Sequence, residues 1–250
     1  MYDFSIVTLS FNQKDFIEDC IKSVQQQKDV SIQHIIIDAG STDGSQEIIR
    51  QHKNIEHIFE KDDGPADGLN KGFSVAKGRY YYFLNADDRL FPDILKIVVK
   101  KMEKSKNTDL FFFAGNLIDI DGKEIRSIYP SFFSKERYIS NATTIFQQGF
   151  FFRNEVFEEI KFNVKNKIAW DGEFIFDCYS KNKKPKRYML KIASFRIHST
   201  AITSSYSYKK KISNHCKEMG KKHNIKSHPI MYRLAKLILD PVYIYHRIFK

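Results

Sequence analysis

The first hundred residues keep switching hydrophobic period, between about 2 and about 3.6 residues, and this alternation restricts the chain more than any other feature. Residues 4–10 (FSIVTLS) form a short, β-branched apolar run that reads as a strand. Across 15–27, Ile17, Cys20, Ile21 and Val24 recur at i, i+3, i+4 and i+7, the stripe of an amphipathic helix. Residues 32–38 (IQHIIID) read as a buried strand, and 41–51 as a helix with Ser41 or Thr42 as N-cap and Ile48 and Ile49 inward. A strand at 55–60, a helix at 65–77, a strand at 79–85 (RYYYFLN) and a helix at 92–102 continue the series. Strands and helices in strict turn predict an α/β fold: a mostly parallel central sheet flanked by helices.

After 109–114 the pattern loosens. Residues 117–120 and 123–128 flank Asp121-Gly122 as a hairpin would, 155–160 and 170–180 look helical, and 187–197 strand-like. Residues 209–249 read as two basic helices broken near His228-Pro229. With no internal repeat or linker, the expected organisation is one α/β domain over 1–205 and a helical tail over 206–250.

Composition narrows the partners. The hydrophobic share is 42% and the charged share 28%, which suits a folded chain. Cys20, Cys178 and Cys216 are far apart and lack metal-ligand spacing, so neither a disulfide framework nor a structural zinc is expected, and a reducing compartment is. The opening residues enter a strand directly, and no run of about 18 apolar residues occurs, so neither a leader nor a membrane span is expected. The net charge of +11 is uneven: 206–250 holds eleven Lys and Arg against two acids, leaving +2 for 1–205. Such a tail points to an anionic partner, the plainer reading being a solvated helical surface. Ile230, Met231, Leu234, Leu237 and Ile238 share one helical face with Arg233, Lys236, Arg247 and Lys250 interspersed or flanking, which suits an anionic membrane surface. Nucleic acid is disfavoured because the body lacks interleaved basic and aromatic residues.

Ligands of open α/β sheets sit at the carboxyl ends of strands, and several ends here carry polar signatures. Asp38 closes the second strand ahead of AGSTDGS; it can accept a hydrogen bond from a base or ribose, or it and Asp43 only shape the turn. Neither GxGxxG nor GxxxxGK[ST] occurs, so a bound nucleotide needs its phosphates neutralised otherwise. Asp87 and Asp88 follow an apolar strand in YFLNADDRL, where adjacent carboxylates repel unless a cation such as Mg²⁺ or Mn²⁺ relieves them, the alternative being a solvated turn. Gly64, Gly68 and Gly72 recur through DDGPADGLNKG, and three glycines in one helix need a close approach to a ligand or a neighbouring element. Lys71 on that helix could reach a phosphate.

Taken in order, SIVTLSFNQKDFIEDCIKSVQQQ, IIIDAGSTDGSQEII, DGPADGLNKGFSVAKGRYYYFLNADDRL, IFQQGFFFRNEVFEEI and AWDGEF resemble glycosyltransferase family 2, the inverting nucleotide-sugar enzymes of GT-A fold. The wording is most similar to members that build bacterial surface polysaccharides. The resemblance implies a nucleotide-sugar-binding half at 1–115 and an acceptor-side half at 116–205. It implies that Asp38 contacts the nucleoside base, cradled by Leu9 and Phe11, with Asp67 and Lys71 beside the diphosphate or ribose. Asp87 and Asp88 match the DxD-type signature for metal and ribose, although its first acid is Asn85 here. Asp171 falls at the catalytic base, with Glu173 in reserve, and His198 approaches the diphosphate or metal. Gln147 and Gln148 are expected on the acceptor side. The function so implied is metal-dependent (Mn²⁺ or Mg²⁺) inverting transfer from a nucleotide-diphosphate sugar, with UDP favoured, to a lipid-linked or saccharide acceptor. The location would be the cytoplasmic face of the cell membrane. A sugar-1-phosphate nucleotidyltransferase would need a glycine- and basic-rich loop after the first strand, where LSFNQKD stands.

Overall fold

The computed structural model describes residues 1–198 and 206–232; most of the amphipathic face expected beyond Met231 lies outside them. The strands are β1 (Tyr2–Ser10), β2 (Ile32–Asp38), β3 (Glu56–Phe59), β4 (Gly78–Asn85), β5 (Arg89–Leu90), β6 (Leu110–Ile118), β7 (Glu124–Ile128), β8 (Phe150–Arg153) and β9 (Pro185–Arg196). The helices are α1 (Ile17–Gln25), α2 (Ser45–Arg50), α3 (Pro65–Ser74), α4 (Leu95–Glu103), α5 (Lys135–Ile139), α6 (Asn154–Glu159), α7 (Trp170–Ser180) and α8 (Tyr206–Lys222). One sheet holds every strand in the order β3-β2-β1-β4-β8-β6-β9-β5, with β7 paired to β6. β1, β2, β3 and β4 run parallel, β8 is antiparallel between β4 and β6, and β6 pairs parallel with β9.

Alternation along the strands sends aromatic rings to both faces. Tyr80, Tyr82, Phe111, Phe113 and Phe151 pack with Leu95 and Val98 of α4 on one side. Tyr81, Phe83, Phe112, Phe150 and Phe152 pack with Phe73 of α3 and Phe174 of α7 on the other. The glycines of α3 find their reason here. A Cβ on Gly72 would stand 2.5 Å from Val7 Cγ1, and one on Gly68 2.9 Å from Leu9 Cδ2, so the close approach is to the strands beneath. Gly64, at φ +99, is the position that only glycine fills without strain.

Register puts the site together. Ser10 pairs with Asp38 and Leu9 with Asn85, so the carboxyl ends of β1, β2 and β4 lie side by side where the strand order reverses.

Several boundaries differ from the sequence reading, and two helix starts have a visible local reason. α2 starts at Ser45, because residues 39–44 wrap the Asp38 carboxylate, and Gly44 at φ 103 leads into the helix in place of a Ser41 or Thr42 cap. α4 starts at Leu95, behind Asp93 at φ 50. α8, which opens the expected helical tail, packs on the domain through Cys216 and Met219, which lie against Tyr138, Ile139 and Phe176. The chain turns after Lys222 and is helical again over 229–232, with Ile230 and Met231 exposed.

Candidate active site

The turn after β4 is pinned to β1 by the Ala86 amide, which donates to the Leu9 carbonyl at 3.0 Å. This splits the two aspartates. Asp88 points inward and is 1% exposed; its Oδ1 accepts the Arg196 amide at 2.9 Å and its Oδ2 the Gln148 Nε2 at 2.6 Å. Burial first, and the charge of Asp87 second, push the Asp88 carboxyl well above the usual carboxylate range. The Asp87 side chain keeps 14% exposure and places Oδ2 3.0 Å from His198 Nε2. His198 also lies against the Phe16 ring, with 4.9 Å between ring centres.

Arg196 fixes this arrangement and was not singled out from the sequence. Its Nε donates to the Asp87 carbonyl at 3.0 Å and its Nη1 to the Ile120 carbonyl at 2.6 Å, while Nη2 pairs with Asp19 at 3.4 Å. No local signal separates such an arginine from a surface one. Gln147 and Gln148, expected on the acceptor side, bond to the same turn: Gln147 Oε1 accepts from Asn85 Nδ2 at 3.1 Å.

At the end of β2, Asp38 is fully buried. Ser10 Oγ and Ser41 Oγ donate to its Oδ2 at 2.9 and 2.6 Å; the Ser41 amide and Gln46 Nε2 donate to its Oδ1 at 2.7 and 2.8 Å. Burial opposes the charge, but donors from Ser41, Gln46 and Ser10 outweigh it and hold the carboxyl below its ordinary range. In this structure Asp38 organises its own loop through these donors. Asp43 does the same across the loop, accepting from the Lys14 and Ser45 amides. Phe11, 56% exposed just past β1, is the free aromatic face at this end.

Lys71 is engaged locally, 3.0 Å from Glu60 and 3.3 Å from Asp67, and also donating to the Lys61 carbonyl. Asp67 accepts the Asp63 amide, so the pair stiffens the 60–67 loop. Asp62, which the sequence reading passed over, lies with Leu9 against Gly68, and burial pushes its carboxyl up. Its only sequence signal was its place at the head of DDGP.

Asp171 sits in the first turn of α7, where its Oδ1 accepts the Gly172 amide at 2.8 Å, and burial raises its carboxyl above the ordinary range. The preceding Trp170 packs on Phe83, two residues before the end of β4, with 5.6 Å between ring centres. Glu173 is different: it is buried, and its two oxygens accept from Asn163 at 3.0 Å and Asn166 at 2.6 Å. Asn70 of α3 clamps the approach to α7, donating to the Phe162 carbonyl at 2.9 Å and accepting its amide at 3.0 Å.

A carboxylate and an imidazole at 3.0 Å suit a divalent cation of Mn²⁺ or Mg²⁺ type. No group of three His, Cys, Asp or Glu residues gathers among the described residues, so further ligands would come from phosphate and water.

The sequence model of glycosyl transferase family 2 matches residues 5–161. A Bacillus subtilis (strain 168) glycosyltransferase provisionally assigned to teichuronic acid biosynthesis, TuaG, is 38% identical over 97 residues, 37% of this chain. The chain spans 38% of that relative's length and 22% of two Rickettsia glycosyltransferases that it also matches. Among solved structures, S. aureus TarS in complex with UDP superposes with a TM-score of 0.65 at 15% identity, covering 99% of this chain and 75% of that one. A mannosyltransferase from Pyrobaculum calidifontis, in complex with GDP-Man and Mn²⁺, gives 0.64 at 14% identity, covering 95% and 70%. These two likenesses establish the fold, a GT-A architecture.

Proposed function

The chain belongs to glycosyl transferase family 2, and from that premise we propose that it transfers a sugar, with inversion, from a nucleotide-diphosphate donor to an acceptor hydroxyl in cell-surface polysaccharide synthesis. The observation that carries this reading is the meeting of Asp87 and His198 beside the carboxyl ends of β1 and β4. UDP is the favoured carrier, since TarS structures hold UDP and UDP-GlcNAc. The teichuronic acid assignment of TuaG supports a surface-polymer acceptor, lipid-linked or saccharide.

Each residue has a defined task in this reading. Phe11 offers a ring for the base, and Asp38 and Asp43 keep the surrounding loop in shape. Asp87 and His198 would hold a divalent cation, whose chemistry there is to neutralise charge on the departing diphosphate. Asp88 and Arg196 position the turn that presents Asp87. Asp171 takes the proton of the acceptor hydroxyl as that oxygen attacks the anomeric carbon from the face opposite the diphosphate. A carboxyl raised by burial is suited to this, because its basicity moves toward neutral pH. No helix among the described residues is long and apolar enough to cross a membrane. The reading places the enzyme peripherally at the inner membrane face, where a lipid-linked acceptor is found.

The test is a thermal shift screen of nucleoside diphosphates and their sugars with and without Mn²⁺. A rise in melting temperature with UDP or a UDP-sugar that needs the metal supports the reading. No rise with any nucleotide refutes it.

A further inference from the structure

Two lysines of the basic 206–250 segment, Lys211 and Lys222, line a concave site within the described residues. Lys211, His215, Glu218 and Lys222 recur at i, i+4, i+7 and i+11 of α8, on one face, while the neighbouring Cys216 and Met219 anchor the helix to Tyr138, Ile139 and Phe176. That face forms a wall of a cavity of about 580 Å³, closed opposite by the 163–168 loop and the first turns of α7.

Its electrostatics are unbalanced. Lys165, Lys211 and Lys222 line it, and none makes an ion pair among the described residues; a fourth lining lysine, Lys167, is held by the Asp63 carbonyl. Two acids, Glu173 and Glu218, face the four lining lysines, and the Asn163 and Asn166 amides bond Glu173 without cancelling its charge, so the lining carries a net excess of two positive charges. A concave site with an excess of one sign of charge concentrates counter-ions of the other. His215 Nε2 is in addition buried without a hydrogen-bond partner, the kind of orphaned group that a ligand satisfies.

Position supplies the role. Tyr208 of α8 donates to the carbonyl of Ile168, a residue of the cavity lining, at 2.7 Å. Burial first, and the nearby Asp171 carboxylate second, push its phenol up. We propose that this cavity binds an anionic group, phosphodiester or carboxylate, of a glycan acceptor, so that the acceptor is a negatively charged polymer whose hydroxyl is presented to Asp171. This rests on the transferase reading and names its acceptor class. The basic face of α8 is then a substrate wall, with lysines turned toward a concave site rather than a flat bilayer.

The experiment titrates wild-type protein and the Lys211→Glu/Lys222→Glu variant with a glycerol-phosphate trimer, tetragalacturonate, neutral maltotetraose and phosphatidylglycerol vesicles. UDP binding in Mn²⁺ is measured alongside. Wild type is expected to bind at least one anionic oligomer, the variant to bind it roughly tenfold or more weakly, and maltotetraose not to bind. UDP binding should be equal in the two proteins. Lys165→Ala, on the opposite wall, should weaken the oligomer in the same direction and guards against misfolding of α8. Absence of oligomer binding by wild type, equal binding by the variants, or binding of vesicles alone would each overturn the proposal. Loss of UDP binding by wild type would instead strike the transferase reading, and the oligomer titration would still decide the cavity.

Discussion

Asp87 Oδ2 and His198 Nε2 stand 3.0 Å apart across 111 residues of sequence, while the neighbouring Asp88 is turned into the core. Adjacent residues of the same type thus have opposite environments, and they should fail in opposite ways. Asp88→Ala removes the acceptor for the Arg196 amide and for Gln148, and is expected to cost about 1–3 kcal/mol of stability in urea denaturation. Asp87→Asn should leave the denaturation midpoint close to wild type and abolish the metal-dependent part of activity. Addition of EDTA to wild type should reproduce that loss.

Asp171→Asn is expected to lower kcat by roughly 10²- to 10⁴-fold, the usual range for a lost general base. Wild type should also carry an acid limb in its pH–rate profile. The Asp171 carboxyl is raised by burial above the ordinary value of 3.8, and the base works only when ionised. Activity is therefore full above the raised pKa and falls as pH drops through it, a limb that Asp171→Asn should remove from the residual rate.

Asn70→Ala breaks both hydrogen bonds to Phe162 and should cost about 1–3 kcal/mol of stability. Because Phe162 begins the segment leading into α7, kcat should fall while the donor KM changes little. A drop confined to donor KM would assign Asn70 to nucleotide binding instead.

Gly72→Ala should destabilise by about 1–3 kcal/mol through overpacking against Val7. The cost should shrink in a Val7→Ala background, where the space at 2.5 Å is opened. Equal cost in both backgrounds would mean that the glycine answers to backbone conformation.

The sequence made the scaffold legible where hydrophobic period decides structure. Ile17, Cys20, Ile21 and Val24 are the buried face of α1 as their spacing predicts, and the YYYF and FFF runs alternate across the sheet. What it left open depends on partners far along the chain. Whether Asp87 or Asp88 faces the site is set by Arg196, and Arg196 meets the turn only once β9 has paired with β5 and β6. Asp38 reads from the sequence as equally suited to a ligand or to its own loop, and the donors that tie it to the loop, Ser10 and Gln46, sit on separate elements. The charge of 206–250 is visible as a count, but which of its lysines line a cavity depends on the face of α8 that Cys216 and Met219 hold against the domain.

The most direct test of a metal-assisted nucleotide site at the ends of β1, β2 and β4 is calorimetric titration of UDP into wild type and Asp87→Asn, each in Mn²⁺ and in EDTA. Binding to wild type in Mn²⁺ only, with the variant silent in both, is the expected result. Binding of UDP to Asp87→Asn in Mn²⁺ as tightly as to wild type would contradict it.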